Sequence, residues 1–165
     1  MMATMFRHNN MRAYEGPYMP KNEVGYLCNT QEARALSVVE IDSRAIKEIK
    51  KTAGRTGEYD FIELLPGEHI IKVVGGTDSG RFMVFTGMSS WKLTVEGEWL
   101  LKFTVEPGHL YLIDLEIREK EKKYKEKVDV DKHEGSYYSI SSVFVREGKT
   151  KKIVSELVEK KELKE

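Results

Sequence analysis

The chain has 165 residues, of which 40% are hydrophobic, 10% aromatic and 33% charged, and its 27 basic residues balance 27 acidic ones. This length suits one domain, and the aromatic and apolar content excludes a disordered chain. Proteins that track phosphates usually carry a basic surplus, so the zero net charge argues against nucleic-acid binding. The sequence has no run of the roughly 18–20 apolar residues that a transmembrane helix needs.

The N-terminal part begins with a Met-rich, polar stretch, and we predict that residues 1–13 are a disordered lead-in. The turn-rich segment Tyr14–Pro20 follows, and short strands are predicted over Val24–Cys28 and Ala35–Asp42. Residues 43–51 are predicted to form a turn or a helical turn that leads into a flexible loop. Cys28 is the only cysteine, so no intramolecular disulfide forms, and its apolar surroundings predict a small buried thiol rather than a nucleophile.

Two segments, Phe61–Val73 and Phe103–Leu115, nearly repeat each other. Each has an apolar run, a Pro-Gly step, a histidine within two residues of the glycine, and a second apolar run. Proline presets the second position of a tight turn, and glycine tolerates a positive φ at the third. Each segment therefore predicts two extended strands joined by a tight bend, that is, a β-hairpin.

Three further segments are strand-like, namely Arg81–Phe85, Trp91–Val95 and Ser136–Arg146. The mixed-sign charge run Arg118–Lys127 is predicted to be a solvated loop or the protruding ends of two strands, with a short helix as the structural alternative. A binding patch is the remaining interpretation of that run.

The hydrophobic period changes near the C-terminus. Ile153, Val154, Leu157 and Val158 recur at helical spacing, with charged residues between them. Residues 149–165 are therefore predicted to form a short amphipathic helix that packs on the sheet, binds a protein partner or mediates self-association. The fold class predicted for residues 14–148 is all-β, an antiparallel β-sandwich of about seven or eight strands, with a barrel as the alternative closure.

The order of these motifs resembles that of small bacterial envelope lipoproteins. The segments concerned are Tyr14–Pro20, Ile41-Asp42, Leu65-Pro-Gly-Glu-His69 and Glu106-Pro-Gly-His-Leu-Tyr111. The Leu-Pro-Gly-x-His step is also similar to the PEGA type of surface β-domain. The resemblance implies a β-sandwich domain of the cell envelope, periplasmic or membrane-anchored, if a native signal is missing from this chain, and otherwise a cytoplasmic one. It implies no activity.

Residues for catalysis are not arranged in a recognisable pattern. The four histidines lack the i,i+2 or i,i+4 spacing of a metal site, and the serines lie in no Gly-x-Ser-x-Gly elbow. We therefore expect no metal, no cofactor and no enzymatic activity. The minority hypothesis is a weak metal or anion site formed by His69, His109 and Asp114, if the two Pro-Gly segments lie side by side.

Aromatic residues supply the remaining candidate site. Trp99 lies at a bend, and the adjacent Tyr137 and Tyr138 point to opposite faces of a strand. Carbohydrates and peptides often bind on aromatic faces. The sequence predicts a non-enzymatic structural or binding domain, with a carbohydrate- or peptide-binding module that uses Trp99, Tyr137 and Tyr138 as the alternative.

Overall fold

The computed structural model describes residues 10–52, 59–75, 92–93, 97–119 and 137–162. A 3-10 helix covers Lys21–Glu23 and a short helix, α1, covers Ile46–Thr52. The strands are β1 Met11–Arg12, β2 Gly25–Asn29, β3 Leu36–Ile41, β4 Arg44–Ala45, β5 Ile62–Leu64, β6 Gly67–Gly75, β7 Lys92–Leu93, β8 Gly97–Val105, β9 Leu110–Glu119, β10 Tyr137–Glu147 and β11 Glu156–Glu162. The predicted strand over Arg81–Phe85 and most of the charge run lie outside these ranges.

The described strands form two sheets, which confirms a mostly-β fold. One sheet has six strands in the order β1-β5-β2-β9-β10-β7, and the other has five in the order β11-β8-β6-β3-β4. The five-stranded sheet is antiparallel throughout. In the six-stranded sheet, β1 with β5, β2 with β9 and β10 with β7 are parallel. The prediction of an antiparallel fold is therefore wrong for part of that sheet, because the chain forms β3, β6 and β8 in the other sheet before β9 returns beside β2.

One hydrophobic cluster contains buried side chains from both sheets. Leu27, Ile62 and Ile113 contribute from the six-stranded sheet, and Ile71 and Leu101 from the five-stranded one. Strand β8 illustrates how the sequence specifies this cluster, since its residues alternate between buried and less buried positions along the strand. Such a period of two places every second side chain on the same face of a sheet.

Both Pro-Gly segments form tight bends but not hairpins. Gly67 and Gly108 have φ values of +123° and +78°, which confirms the predicted need for glycine. However, β5 and β6 belong to different sheets, and so do β8 and β9. Each Pro-Gly segment is therefore a crossover between the sheets. The two crossovers lie side by side, because Gly67 pairs with Val105.

The C-terminal helix predicted for residues 149–165 is wrong. Residues 156–162 form β11, which pairs antiparallel with β8. The edge of β8 offers a row of backbone donors and acceptors, and pairing with it overrides the helical spacing of the apolar residues. The predicted apolar face is also not buried, since Ile153, Leu157 and Val158 are 52%, 53% and 50% exposed.

The disordered lead-in predicted for residues 1–13 is wrong from residue 10 onward. Met11 is fully buried and its backbone N–H donates to the carbonyl oxygen of Phe61, 2.8 Å away. Residues 1–9 lie outside the described part of the chain.

The helical turn predicted within residues 43–51 is a helix of about two turns, α1. The side chain of Ile49 packs it against the core. No described helix has the length and apolar character needed to cross a bilayer.

Candidate functional site

A cleft lies where the chain passes from one sheet to the other after β10. The segment after β10 turns back and pairs with it, since Val154 N–H donates to Val145 O and Glu147 N–H donates to Lys152 O, both at 2.9 Å. The chain then leaves β10 and pairs with β8 as β11. The C-terminal end of β10 and the start of β11 are consequently close together, and the two strands diverge from there.

A cleft of about 370 Å³ opens between the diverging strands, and we call it the β10–β11 cleft. It combines apolar side chains with hydroxyl groups and two charged residues. Its lining consists of Trp99, Glu116, Ser141, Ser142, Val143, Phe144, Ile153, Ser155, Leu157 and Lys160.

Ser155 marks the point of divergence. Its side-chain oxygen accepts a hydrogen bond from Val145 N–H at 2.8 Å. In an antiparallel ladder this N–H would bond to a backbone carbonyl of the neighbouring strand. The hydroxyl therefore replaces the backbone carbonyl and lets the chain turn away from β10 without leaving a buried N–H unbonded.

Trp99 lines the cleft from β8 and is only 1% exposed. Its ring lies over Gly97, because a Cβ added at that glycine would come within 2.4 Å of the ring carbon Cη2. The indole Nε1–H is buried and has no hydrogen-bond acceptor among the residues described. Leaving a buried donor unbonded costs about 1–3 kcal/mol, so a ligand atom that accepted this hydrogen bond would recover that free energy.

The aromatic residues proposed from the sequence lie near the cleft in a different arrangement. Trp99 is not the exposed platform that its position after Gly97-Glu98 suggested, because the alternation of β8 turns it inward beside Leu101 and Phe103. Tyr137 and Tyr138 lie on β10, a few residues before the cleft, where their backbones pair in parallel with Lys92 and Leu93. Their side chains lie outside what the structure describes.

Sequence reasoning missed the remaining cleft residues. Ile153, Ser155 and Leu157 alternate along the chain, and all three line the cleft. That period of two is the strand signal in this segment, and the stronger helical spacing of the apolar residues concealed it.

His69 lies at the opposite end of the five-stranded sheet, beside the Pro-Gly crossovers. Its Nδ1 is 2.6 Å from Asp42 Oδ2, and its Nε2 is 2.6 Å from Leu65 O. Asp42 in turn accepts the backbone N–H of Ile70 at 2.9 Å. The Nδ1 contact thus joins the first crossover to the β3–β4 turn, and the Nε2 contact lies within the crossover.

His109 lies beside the second crossover and contacts two carboxylates. Its Nε2 is 3.5 Å from Glu106 Oε2, and its Nδ1 is 3.5 Å from Glu147 Oε1. The backbone N–H groups of Thr150 and Lys149 donate to Glu147. These bonds, with that from Thr150 the largest cause, lower the pKa of the Glu147 carboxyl below its usual range.

The site of His69, His109 and Asp114 considered from the sequence is not assembled. Asp114 instead accepts hydrogen bonds from Thr30 Oγ1 and Arg146 Nε, both at 3.1 Å. The described ranges contain no group of three or more His, Cys, Asp or Glu side chains that can hold a metal ion. The two crossovers do lie side by side, but His69 contacts Asp42 and Leu65, whereas His109 lies 3.5 Å from Glu106 and Glu147.

Cys28 is half-buried on β2, and burial raises the pKa of its thiol to about 11. A thiol that stays protonated at neutral pH is a poor nucleophile.

Comparisons of this chain with protein-family models, with curated proteins and with solved structures found no match in any of the three. The resemblance to envelope lipoproteins therefore stays a prediction from the order of the motifs.

Proposed function

We propose that this chain is a non-enzymatic binding domain of the bacterial cell envelope, with its two sheets packed as a β-sandwich. Its site is the β10–β11 cleft, and its ligand combines apolar groups with a hydrogen-bond acceptor. The observation that carries the proposal is Trp99, whose indole N–H is buried without an acceptor in the described residues beside a cleft of about 370 Å³. Polar groups this deeply buried are nearly always bonded in native proteins, so an exception at a cleft marks a place where a ligand binds.

The chemistry of the cleft supports a ligand of mixed character. Leu157 and Ile153 are about half exposed at its wall, which is more apolar exposure than the rest of the described core strands show. Ser141, Ser142 and Lys160 add hydroxyl and ammonium groups. Binding sites of this composition hold a ligand by apolar contact and orient it with a few polar bonds.

The groups that carry chemistry elsewhere support a non-enzymatic role. His69 is bonded through both ring nitrogens, Asp114 is bonded to Arg146 and Thr30, and the Cys28 thiol has a raised pKa. Each of these groups has a structural partner or an unreactive form. A catalytic site needs instead a nucleophile or base free to approach a substrate.

The envelope location rests on the order of the Tyr14–Pro20, Ile-Asp and Leu-Pro-Gly-x-His motifs. Fractionating the source cells and detecting this chain with an antibody tests it. We expect the chain in the envelope fraction, and recovery in the cytoplasmic fraction alone would refute the location without touching the cleft.

Nuclear magnetic resonance of the indole groups tests the binding role. The chain has two tryptophans, so the spectrum of ¹⁵N-labelled protein holds two indole signals, and Trp99→Phe identifies the one from Trp99. The probes are the peptide Ac-Val-Thr-Asn-Thr-Val-NH₂ and an oligomer of N-acetylglucosamine. We expect at least one probe to shift the Trp99 signal as its N–H gains an acceptor. If saturating concentrations of both leave it unmoved, the proposed function is wrong.

A further inference from the structure

The side of β10 that faces the cleft is a strand edge with a gap in its pairing. At its beginning, Tyr137 and Tyr138 pair with β7, and near its end residues 145–147 pair with the returning segment 152–154. Between these pairings, no described strand bonds to β10 on this side. The described residues therefore leave residues 139–144 of this edge unpaired, a stretch of roughly 20 Å at about 3.3 Å per residue.

The backbone of Val143 points into this gap. Val145 uses its N–H and C=O on the cleft side, to Ser155 Oγ and Val154 N. The register with β9 is regular from Ser142 to Glu147, so the backbone groups of residues two apart point the same way. The N–H and C=O of Val143 therefore face the cleft, where the described part of the chain supplies no partner, although this residue is 96% buried by its neighbours (4% exposed).

A register shift between Ile140 and Ser142 defines the start of the usable edge. Such a bulge interrupts regular pairing and turns the strand locally. The regular part of the free edge is thus short, from Ser142 to Phe144, and it suits the pairing of a short segment rather than a long one.

An extended peptide matches this edge and the floor of the cleft together. Its backbone supplies an acceptor and a donor to Val143, for which the described residues offer no partner on this side, and its side chains alternate between solvent and the opposite sheet. Toward that sheet lie Trp99, with its unbonded indole N–H, and the half-exposed Leu157. A peptide with an amide, hydroxyl or carboxylate side chain at one inward position satisfies the indole, and apolar side chains two residues away on either side contact Leu157.

We propose that the occupant of the β10–β11 cleft is an extended peptide segment of a partner protein, about five residues long, which adds as a strand to the edge of β10 at Val143, where no described strand pairs. This inference rests on the proposed function and specifies its ligand class and binding mode. A carbohydrate offers no regular ladder of N–H and C=O groups to a strand edge, which is why the peptide is favoured.

Amide hydrogen exchange of Val143 tests the binding mode. Under saturating Ac-Val-Thr-Asn-Thr-Val-NH₂ we expect the exchange of the Val143 amide to slow about tenfold or more, together with a shift of the Trp99 indole signal. The Phe144 amide is the internal control, because it faces β9 in the alternating ladder and is already bonded. A matched peptide with N-methylated backbone amides keeps the side chains, and it is expected to leave both signals unchanged.

Each of the other outcomes refutes one stated part of the proposal. A Trp99 shift with unchanged Val143 exchange, or a shift by the sugar oligomer alone, refutes strand addition and leaves the binding role standing. Unchanged signals with every probe refute the binding role as well. Slowing of Val143 exchange that grows with protein concentration in the absence of peptide, with dimers in analytical ultracentrifugation, shows that the occupant is a second copy of this chain and refutes the partner peptide.

Discussion

The two ends of strands β6 and β8 differ in how their polar groups are bonded. At the Gly67–Val105 end, the crossovers are joined by His69 with Asp42, by Tyr111 with Glu106, and by Glu147 with the Lys149–Thr150 turn. At the Gly75–Gly97 end lies Trp99, which is only 1% exposed and whose indole N–H has no acceptor among the described residues. The two crossovers and their side chains form the bonded end, and the β10–β11 cleft is the open end.

This difference indicates that the two ends of β6 and β8 have different roles. At the bonded end, His69 and Asp42 tie the first crossover to the β3–β4 turn, and Tyr111 closes the second crossover onto Glu106, although the buried Nδ1 of His109 has no hydrogen-bond partner among the described residues. At the open end β10 and β11 diverge, and the Trp99 indole N–H and the Val143 backbone, which have no partner there among the described residues, are the groups assigned to the proposed ligand. A rigid end that supports an adaptable one is a common arrangement in binding proteins.

The largest expected effect is steric and lies at the open end. Gly97→Ala places a methyl group 2.4 Å from a ring carbon of Trp99, which is too deeply buried to move away. We expect a loss of about 3 kcal/mol in the free energy of unfolding, measured by urea denaturation. Gly67→Ala at the bonded end is the matched variant, and its open surroundings leave only the strain of φ +123°, about 1 kcal/mol. Equal losses for the two variants would contradict the packing of Trp99 on Gly97.

The next largest effect on the free energy of unfolding is the difference between a variant that loses a hydrogen bond and one that loses an unbonded donor. Tyr111→Phe removes the hydroxyl oxygen that accepts Glu106 N–H at 2.8 Å, and we expect it to lower the free energy of unfolding by about 1–2 kcal/mol. Trp99→Phe at the open end removes a donor that has no partner in the described residues. It should cost less than Tyr111→Phe, although it leaves a small cavity. Chemical denaturation of both variants decides the point, and the reverse order would show that lost packing, or a bond of the indole in solution, outweighs the Tyr111 hydrogen bond.

The third effect is a dependence on pH at the bonded end. The pKa of Glu147 is lowered in the folded state, so its stabilisation is complete above the unfolded-state value of 4.5 and is lost as pH falls through the lower folded value. We expect the urea midpoint of the native chain to fall between about pH 5 and about pH 3. Glu147→Gln should lower the midpoint at neutral pH and flatten this decline. A variant with an unchanged decline would place the acid sensitivity elsewhere.

The smallest effect on stability lies on the cleft wall. Leu157 is 53% exposed, so Leu157→Ser should change the free energy of unfolding by less than about 0.5 kcal/mol. The same change should weaken binding of the probe peptide several-fold, as followed by the Trp99 indole signal. Unaltered peptide binding would remove Leu157 from the site and narrow it to Trp99 and β10.

The strands were predictable where one face is buried. The alternation of β8 and the β-branched run of β10 mark them without reference to any partner. The bends at Gly67 and Gly108 were predictable too, since a Pro-Gly step specifies local backbone angles. It does not specify whether the next strand returns to the same sheet, which depends on distant packing. For that reason the sequence of each crossover was interpreted as a β-hairpin.

The C-terminal segment and the cleft were less predictable for a related reason. Leu157 and Val158 satisfy a helical period, and only the unpaired edge of β8 makes them a strand. The cleft depends on where Ser155 leaves β10, and no local pattern marks that point. Trp99 itself was identifiable as a candidate, but its burial follows from the alternation of β8 more reliably than from the bend before it.

The parallel pairing of β2 with β9 has a consequence for synthesis on the ribosome. Thr30 bonds to Asp114, a residue 84 positions later, and β2 pairs with β9 immediately beside this contact. At about 5–20 residues per second, β2 leaves the ribosome many seconds before the strand that completes its pairing. During that interval β3, β6 and β8 can assemble as neighbours, whereas β2 exposes an unpaired edge. Because an unpaired strand edge can pair with another chain, we expect slower translation between β2 and β9 to increase the aggregation of nascent chains.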